Sequence, residues 1–166
     1  MTFKDLLIQL DACPTAREWA GDMPIEEVVA TCHRGDWLLW LAQKVDVDLR
    51  LRTLAKGHCA NTVRHLMTDE RSLNAVDVAI AFGEGKATRE ELDAAAYTAY
   101  AAADGSGAAA AAAAATDAAT DAADAAAATA TAVAYAAYAA LNRQQTADIC
   151  REYIGESLIQ KVNQLL

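Results

Sequence analysis

Ala94-Ala-Ala-Tyr97-Thr-Ala-Tyr100-Ala-Ala-Ala103 is echoed by Ala132-Val-Ala-Tyr135-Ala-Ala-Tyr138-Ala-Ala-Leu141. Alanine is the strongest helix former, and neither stretch contains glycine or proline, so both read as helix. In each, the Tyr-x-x-Tyr spacing puts both rings on one helical face. Asp104-Gly105-Ser106-Gly107 supplies a turn between them, and the run of alanines from Ala108 to Ala115 restarts the helix. A short helix–helix loop implies antiparallel neighbours. Small side chains let the two axes approach toward the lower limit of the range, about 8 Å. The expectation is a close-packed antiparallel alanine-rich helical hairpin over residues 88–155.

Helix punctuation continues on both sides. Thr2 followed by Asp5 opens a helix with Phe3, Leu6, Leu7 and Leu10 on one face, and Cys13-Pro14 ends it. Thr15 to Ala20 reads as a short turn carrying Trp19, closed by Gly21. Pro24 suits the first position of a helix to Cys32, with Glu26 and Glu27 at its positive dipole end. Gly35 breaks the chain and Asp36 caps a helix over Trp37 to Val45. Asp48 caps another to about Met67, in which Gly57 weakens helix propensity and so suggests close helix approach. Residues Asp69 to Phe82 form a further helix stopped by Gly83 and Gly85, and Thr88 with Glu91 makes a capping box for Arg89 to Ala103.

From Ala108 the pattern runs past Leu141 to Ile154, where Gly155 is expected to stop it. A final amphipathic helix then carries Leu158, Ile159, Val162, Leu165 and Leu166. No stretch alternates in the manner of a strand. The fold class is all-α, a helical bundle of about seven to nine helices in one domain, residues 1–166. Within it a Trp-containing helical core covers 1–87, the hairpin 88–155 and a C-terminal helix 156–166.

Composition narrows the function. The chain carries a net charge of −9, which argues against nucleic acid and anionic membrane surfaces as partners, since both recruit basic patches. Asp117, Asp121 and Asp124 follow the alanine run directly and would oppose a membrane span. Met1 to Leu10 lacks the features of a signal peptide, and Cys13, Cys32, Cys59 and Cys150 show neither metal nor disulfide-scaffold spacing. A cytoplasmic protein with reduced core thiols is expected.

Motifs for chemistry are scarce. His33, His58 and His65 lack zinc-site spacing, and Gly83-Glu84-Gly85-Lys86 lacks the spacing of a phosphate loop. His58 and Cys59 adjoin on a helix, so their side chains diverge by about 100°, poor geometry for a thiol and its base. No catalytic residues, no metal site and no cofactor are expected.

Two surfaces stand out as binding candidates. No lysine or arginine occurs between Glu90 and Asn142, and Asp117, Asp121 and Asp124 recur at i, i+4, i+7, an acidic stripe. With Tyr97, Tyr100, Tyr135 and Tyr138 it would make a docking face for a basic protein partner. The solvated face of an alanine helix is the structural alternative. Arg50, Arg52, Lys56 and Arg64 form the second, a basic set that either pairs internally with the acidic alanine-rich arm or takes a small anionic ligand. Trp37, Trp40 and Leu41 lie along one face and read as core. A self-associating alanine face would give a homodimer.

Gly35-Asp36-Trp37-Leu38-Leu39-Trp40-Leu41-Ala42, the Tyr–Ala repeats and Thr146-Ala-Asp-Ile-Cys150-Arg-Glu-Tyr153-Ile154 together carry a resemblance. The chain resembles the alanine-rich immunity proteins of bacterial toxin–immunity systems, relatives of which also occur in phages. The resemblance implies a helical protein that neutralises a cognate toxin by direct contact, and brings no catalytic residues. A phage counter-defence protein, blocking a host immune protein or sequestering a small anionic signal, is the alternative.

Overall fold

A computed structural model describes residues 1–67, 69–102 and 132–166, with side chains for 1–65, 67, 69–99 and 141–166. The described residues are helical throughout their regular structure, and no strand occurs among them. The helices are α1 (Phe3–Gln9), α2 (Pro14–Ala20), α3 (Ile25–Thr31), α4 (Gly35–Lys44), α5 (Leu49–Asn61), α6 (Glu70–Gly83), α7 (Arg89–Ala102) and α8 (Ala132–Leu165), with a 3₁₀ turn at Arg64–Leu66.

The capping residues act as their positions suggest. Thr2 Oγ1 accepts from the Asp5 amide at 3.1 Å, while the Asp5 carboxylate accepts from the Thr2 amide at 2.9 Å. Thr88 and Glu91 exchange the same pair of bonds at the start of α7. Asp48 accepts from the amides of Arg50 and Leu51. Each satisfies amides that a helix start otherwise leaves unpaired.

Several boundaries differ from expectation. Pro14 starts a two-turn helix, α2, where a turn was expected, because its fixed φ suits the first helical position. Pro24 stands one place earlier, as the residue before α3. Asp36 does not cap α4: it lies inside the first turn, buried, with its carboxylate held by Arg34. Helix α5 ends at Asn61, short of Met67. Thr62 Oγ1 there donates to the Cys59 carbonyl at 2.7 Å and accepts from Asn142 of α8 at 2.8 Å. Most consequentially, α8 runs unbroken through Gly155 to Leu165, so residues 156–166 are not a separate helix. Gly155 is buried where α8 crosses α3, and a methyl group there would meet Val29 Cγ1 at 3.3 Å.

Helix α8 is the axis of the molecule and packs on α3, α4 and α5. Its buried Cys150, Ile154, Leu158 and Val162 join Phe3, Leu6, Val28 and Leu38 in one apolar core. A second cluster joins α5 to α6 and takes in Leu92 of α7. Helix α7 is seated on α6, with Ala95 and Ala99 buried against Ala75. Residues 103–131, the loop and the first part of the second arm of the expected alanine hairpin, lie outside the described residues, and the rest of that arm is the first part of α8.

Glycine sets the closest contacts. A Cβ on Gly35 would fall 2.6 Å from the Thr146 carbonyl carbon of α8. One on Gly83 would fall 2.8 Å from Leu54 Cα, and one on Gly57 would fall 2.8 Å from Ile80 Cγ1 and 3.2 Å from its amide nitrogen. The close approach expected at Gly57 is therefore present, between α5 and α6. Arginines tie the same helices end-on. Arg50 donates to the Phe82 carbonyl at 2.6 Å, and Arg151 donates to the Cys32 carbonyl at 2.6 Å. Both meet carbonyls at helix C-termini, where cations are favoured.

The glycines should therefore differ sharply on substitution. Gly35→Ala forces backbone apart and is expected to destabilise by about 1–3 kcal/mol. Gly155→Ala meets one side-chain methyl and gains up to about 1 kcal/mol of helix propensity, so it should be near neutral. Urea unfolding of both variants checks this, and equal effects would contradict the packing described. A pH effect is also expected at Asp69, whose carboxylate accepts from the Arg71 guanidinium and amide and is held down at about 2. A depressed carboxylate stabilises above its unfolded value and loses that contribution as pH falls through the folded one. NMR titration of the Asp69 carboxyl should give a midpoint near 2, and Asp69→Asn should flatten the acid limb of stability.

Candidate functional site

Short helices near the N-terminus leave a cleft where they meet α4. Helix α2 brings Trp19, the α3–α4 connection brings Cys32 and Arg34, and α4 brings Trp37 and Trp40 one turn apart. The Trp19 and Trp37 rings lie 5.8 Å apart, tilted by 54°. His33 sits edge-on to Trp19 at 5.8 Å and 6.1 Å from Trp37. The cleft has a volume of about 380 Å³. Its walls are completed by Leu7, Ala16, Val28 and Leu41, and every tryptophan of the chain lines it.

The core reading of the Trp37, Trp40, Leu41 stripe is thus half right. Leu38, Leu39 and Leu41 are buried, but both tryptophans are only half-buried. Gly35 draws one side of α4 against α8, and residues 37 and 40 sit roughly 200° and 140° around the helix from it. Trp37 and Trp40 therefore pack on the edge of the core and line the cleft.

Charge in the cleft is balanced. Arg34 Nε donates to Asp36 Oδ1 at 2.8 Å, and its Nη2 pairs with Oδ2. The guanidinium also lies over the Trp37 ring, 5.0 Å from its centroid, and Lys44 lies 5.7 Å from that of Trp40. Asp36 is 7 % exposed, and a carboxylate so placed needs its partner.

The basic set read from the sequence does not line this cleft. Arg50 is spent on the Phe82 carbonyl and lies over the Phe82 ring at 4.5 Å. Arg52 reaches Asp46 at 3.9 Å, Lys56 is buried, and Arg64 grips Asp77 through two bonds. The four lie at separate places along α5 or just beyond it and do not converge on one point.

Of the acidic and tyrosine set, Asp117, Asp121 and Asp124 lie outside the described residues, as do the side chains of Tyr100, Tyr135 and Tyr138. Tyr97 is described and is 78 % exposed on the outer face of α7. Glu90, Glu91 and Asp93 share its solvent-exposed surroundings, while Leu92, Ala95 and Ala99 face inward.

No family model, characterised protein or solved structure matches the chain. Among the described residues no helix is long and apolar enough to cross a membrane, and no group of three or more His, Cys, Asp or Glu is placed to hold a metal ion.

The thiols and histidines serve the fold. His58 of α5 stacks on Tyr153 of α8, with ring centroids 4.6 Å apart and planes 4° from parallel. Cys59 donates toward the Thr146 carbonyl and Cys150 toward that of Gly35. The neighbouring Cys59 thiol and burial push Cys150 well above the ordinary thiol range, and burial raises Cys32. Thiolates are the reactive form, so neither is suited to attack. Cys13 departs from the core-thiol expectation: it is exposed, on the cleft's rim. Trp19, Arg34 and Cys13 were not singled out as site residues in the sequence. The signal available was Pro14, which starts the helix that carries Trp19 over the cleft.

A native-state thiol assay should accordingly titrate one cysteine rapidly, Cys13, and four after denaturation. Cys13→Ser should abolish the fast phase. A second fast thiol would contradict the burial of the other three.

Proposed function

We propose that the chain is a non-catalytic binding protein of the immunity type, acting in the cytoplasm to neutralise a toxin by direct protein–protein contact. The observation that carries this reading is the outer face of α7, where an exposed tyrosine stands among carboxylates. Tyrosine offers large contact area with little rotamer freedom to lose, which is why it recurs at binding hot spots. Beyond it the sequence holds Asp104, Asp117, Asp121 and Asp124 with no basic residue before Arg143. A wall of one sign speeds encounter with a basic partner and disfavours acidic ones.

Two further observations support binding in place of catalysis. His33, His58 and the buried cysteines are occupied in ring and carbonyl contacts. The basic side chains proposed for an anionic signal are engaged along α5 and beyond, so they favour the protein-partner reading over that alternative.

Co-expression should protect cells from the cognate toxin, and the two proteins should copurify in equal amounts. Tyr97→Ala should weaken the complex by about 2 kcal/mol if the ring is a hot spot. Asp117→Lys, Asp121→Lys and Asp124→Lys together should slow association at low salt and leave dissociation nearly unchanged. Unaltered binding in both variants would place the contact elsewhere on the chain and end this proposal.

A further inference from the structure

We infer that the tryptophan-lined cleft between α2 and α4 is a binding site for a small, uncharged, flat aromatic molecule. The cleft measures about 380 Å³ and opens at the surface, so its lining more than its size sets it apart from the other grooves of the fold. It falls within the range of small-molecule pockets, about 300–1,000 Å³. The residues around it are the ones a folding chain most gains by burying. A tryptophan removes about 150–250 Å² from water when covered, yet Trp19, Trp37 and Trp40 are all left half-buried around one opening.

Trp19 and Trp37 already pack on each other and make a fixed aromatic wall. Trp19 and Trp37 are tilted to each other with centroids 5.8 Å apart, and aromatic pairs favour offset or edge-on arrangements at about 4.5–7 Å. A flat ring system entering from the Cys13 rim would meet the third indole, Trp40, on the α4 wall.

Charge selects a neutral occupant. A cation would be expected to seek the indole faces, but Arg34 already lies over Trp37 and Lys44 over Trp40, so a further positive charge would be repelled. An anion would seek Arg34, but the buried carboxylate of Asp36 holds that guanidinium, and Asp11 stands on the same wall. Either ion would also lose hydration on entry, while an uncharged ring would not. The inference is independent of toxin binding, since the cleft and the outer face of α7 belong to different helices. Either can fail alone.

The test uses the full chain and N-phenyl-1-naphthylamine, an uncharged aromatic fluorophore. Because every tryptophan lines the cleft, binding should quench intrinsic emission and sensitise the probe, saturating at one probe per chain. The sulfonated analogue 1-anilinonaphthalene-8-sulfonate should bind at least tenfold more weakly. Ala16→Phe, which grows a ring into the cleft from a half-buried wall position, should weaken the neutral probe at least tenfold while helical circular dichroism and the melting temperature are retained. If Ala16→Phe does not fold, Trp37→Leu provides the second arm, with the same tenfold weakening expected. Overturning results are an absence of saturable binding, equal affinity for the sulfonated probe, or unchanged affinity in a folded variant.

Discussion

Where α4 meets α8, and again where α5 meets α6, the contact is made without a side chain on one partner. Gly35 lies so close to Thr146 that an added methyl would sit 2.6 Å from its carbonyl carbon, and Gly83 bears the same relation to Leu54. Helices usually keep their axes about 8–10 Å apart because side chains fill the gap. Removing the side chain lets the backbones come together and fixes both the depth and the rotation of the contact. Much of the architecture follows. With Gly35 pressed on α8, the Cys150 thiol reaches the Gly35 carbonyl and Cys59 reaches that of Thr146, so three helices converge at one point. With Gly57 and Gly83 on α5 and α6, Arg50 is near enough to cap the last turn of α6.

The same constraint exposes the tryptophans. A helix that turns a glycine toward its tightest neighbour turns positions two and five residues later away from it. In α4 those positions are Trp37 and Trp40, and only the short helices α1 to α3 remain to cover them. Two-turn helices bury limited area, and Trp19 of α2 completes the wall without closing it. Arg34 and Asp36 then sit at the junction of the tight and open sides. Neutralising one partner would strand the other in a poorly hydrated place, which is why they persist as a pair.

Helix type and many caps were legible because they depend on local chemistry. Thr2, Asp48, Thr88 and Glu91 act within a few residues of themselves, and their amide bonds follow from spacing alone. Gly155 was misread for the opposite reason. Locally a glycine is a stop, since it weakens a helix by about 1 kcal/mol. The buried crossing with Val29 is a long-range fact, and it overrides the local preference. Asp36 was misread likewise: its position resembles a cap, but Arg34 competes for the carboxylate and wins. The cleft was invisible because it belongs to four segments, and no spacing in one segment announces a void between several. The basic set illustrates the converse. Arg50, Arg52 and Arg64 look concentrated in sequence, yet α5 and the turn after it send them to separate partners.

Alanine content explains how α7 can be both well placed and open to a partner. Ala95 and Ala99 bury little area apiece, so their contact with Ala75 fixes distance more than it adds energy. The anchor is Leu92, fully buried against the α5–α6 cluster near the start of the helix. Holding the helix by one large side chain and a seam of small ones frees its outer face from packing on α6. Glu91 caps the helix start and Asp93 pairs with Arg89, but neither they nor Tyr97 is needed to keep α7 on α6. A docking face can vary in such a place without the bundle having to repack, because what holds the helix and what it displays are carried by different residues.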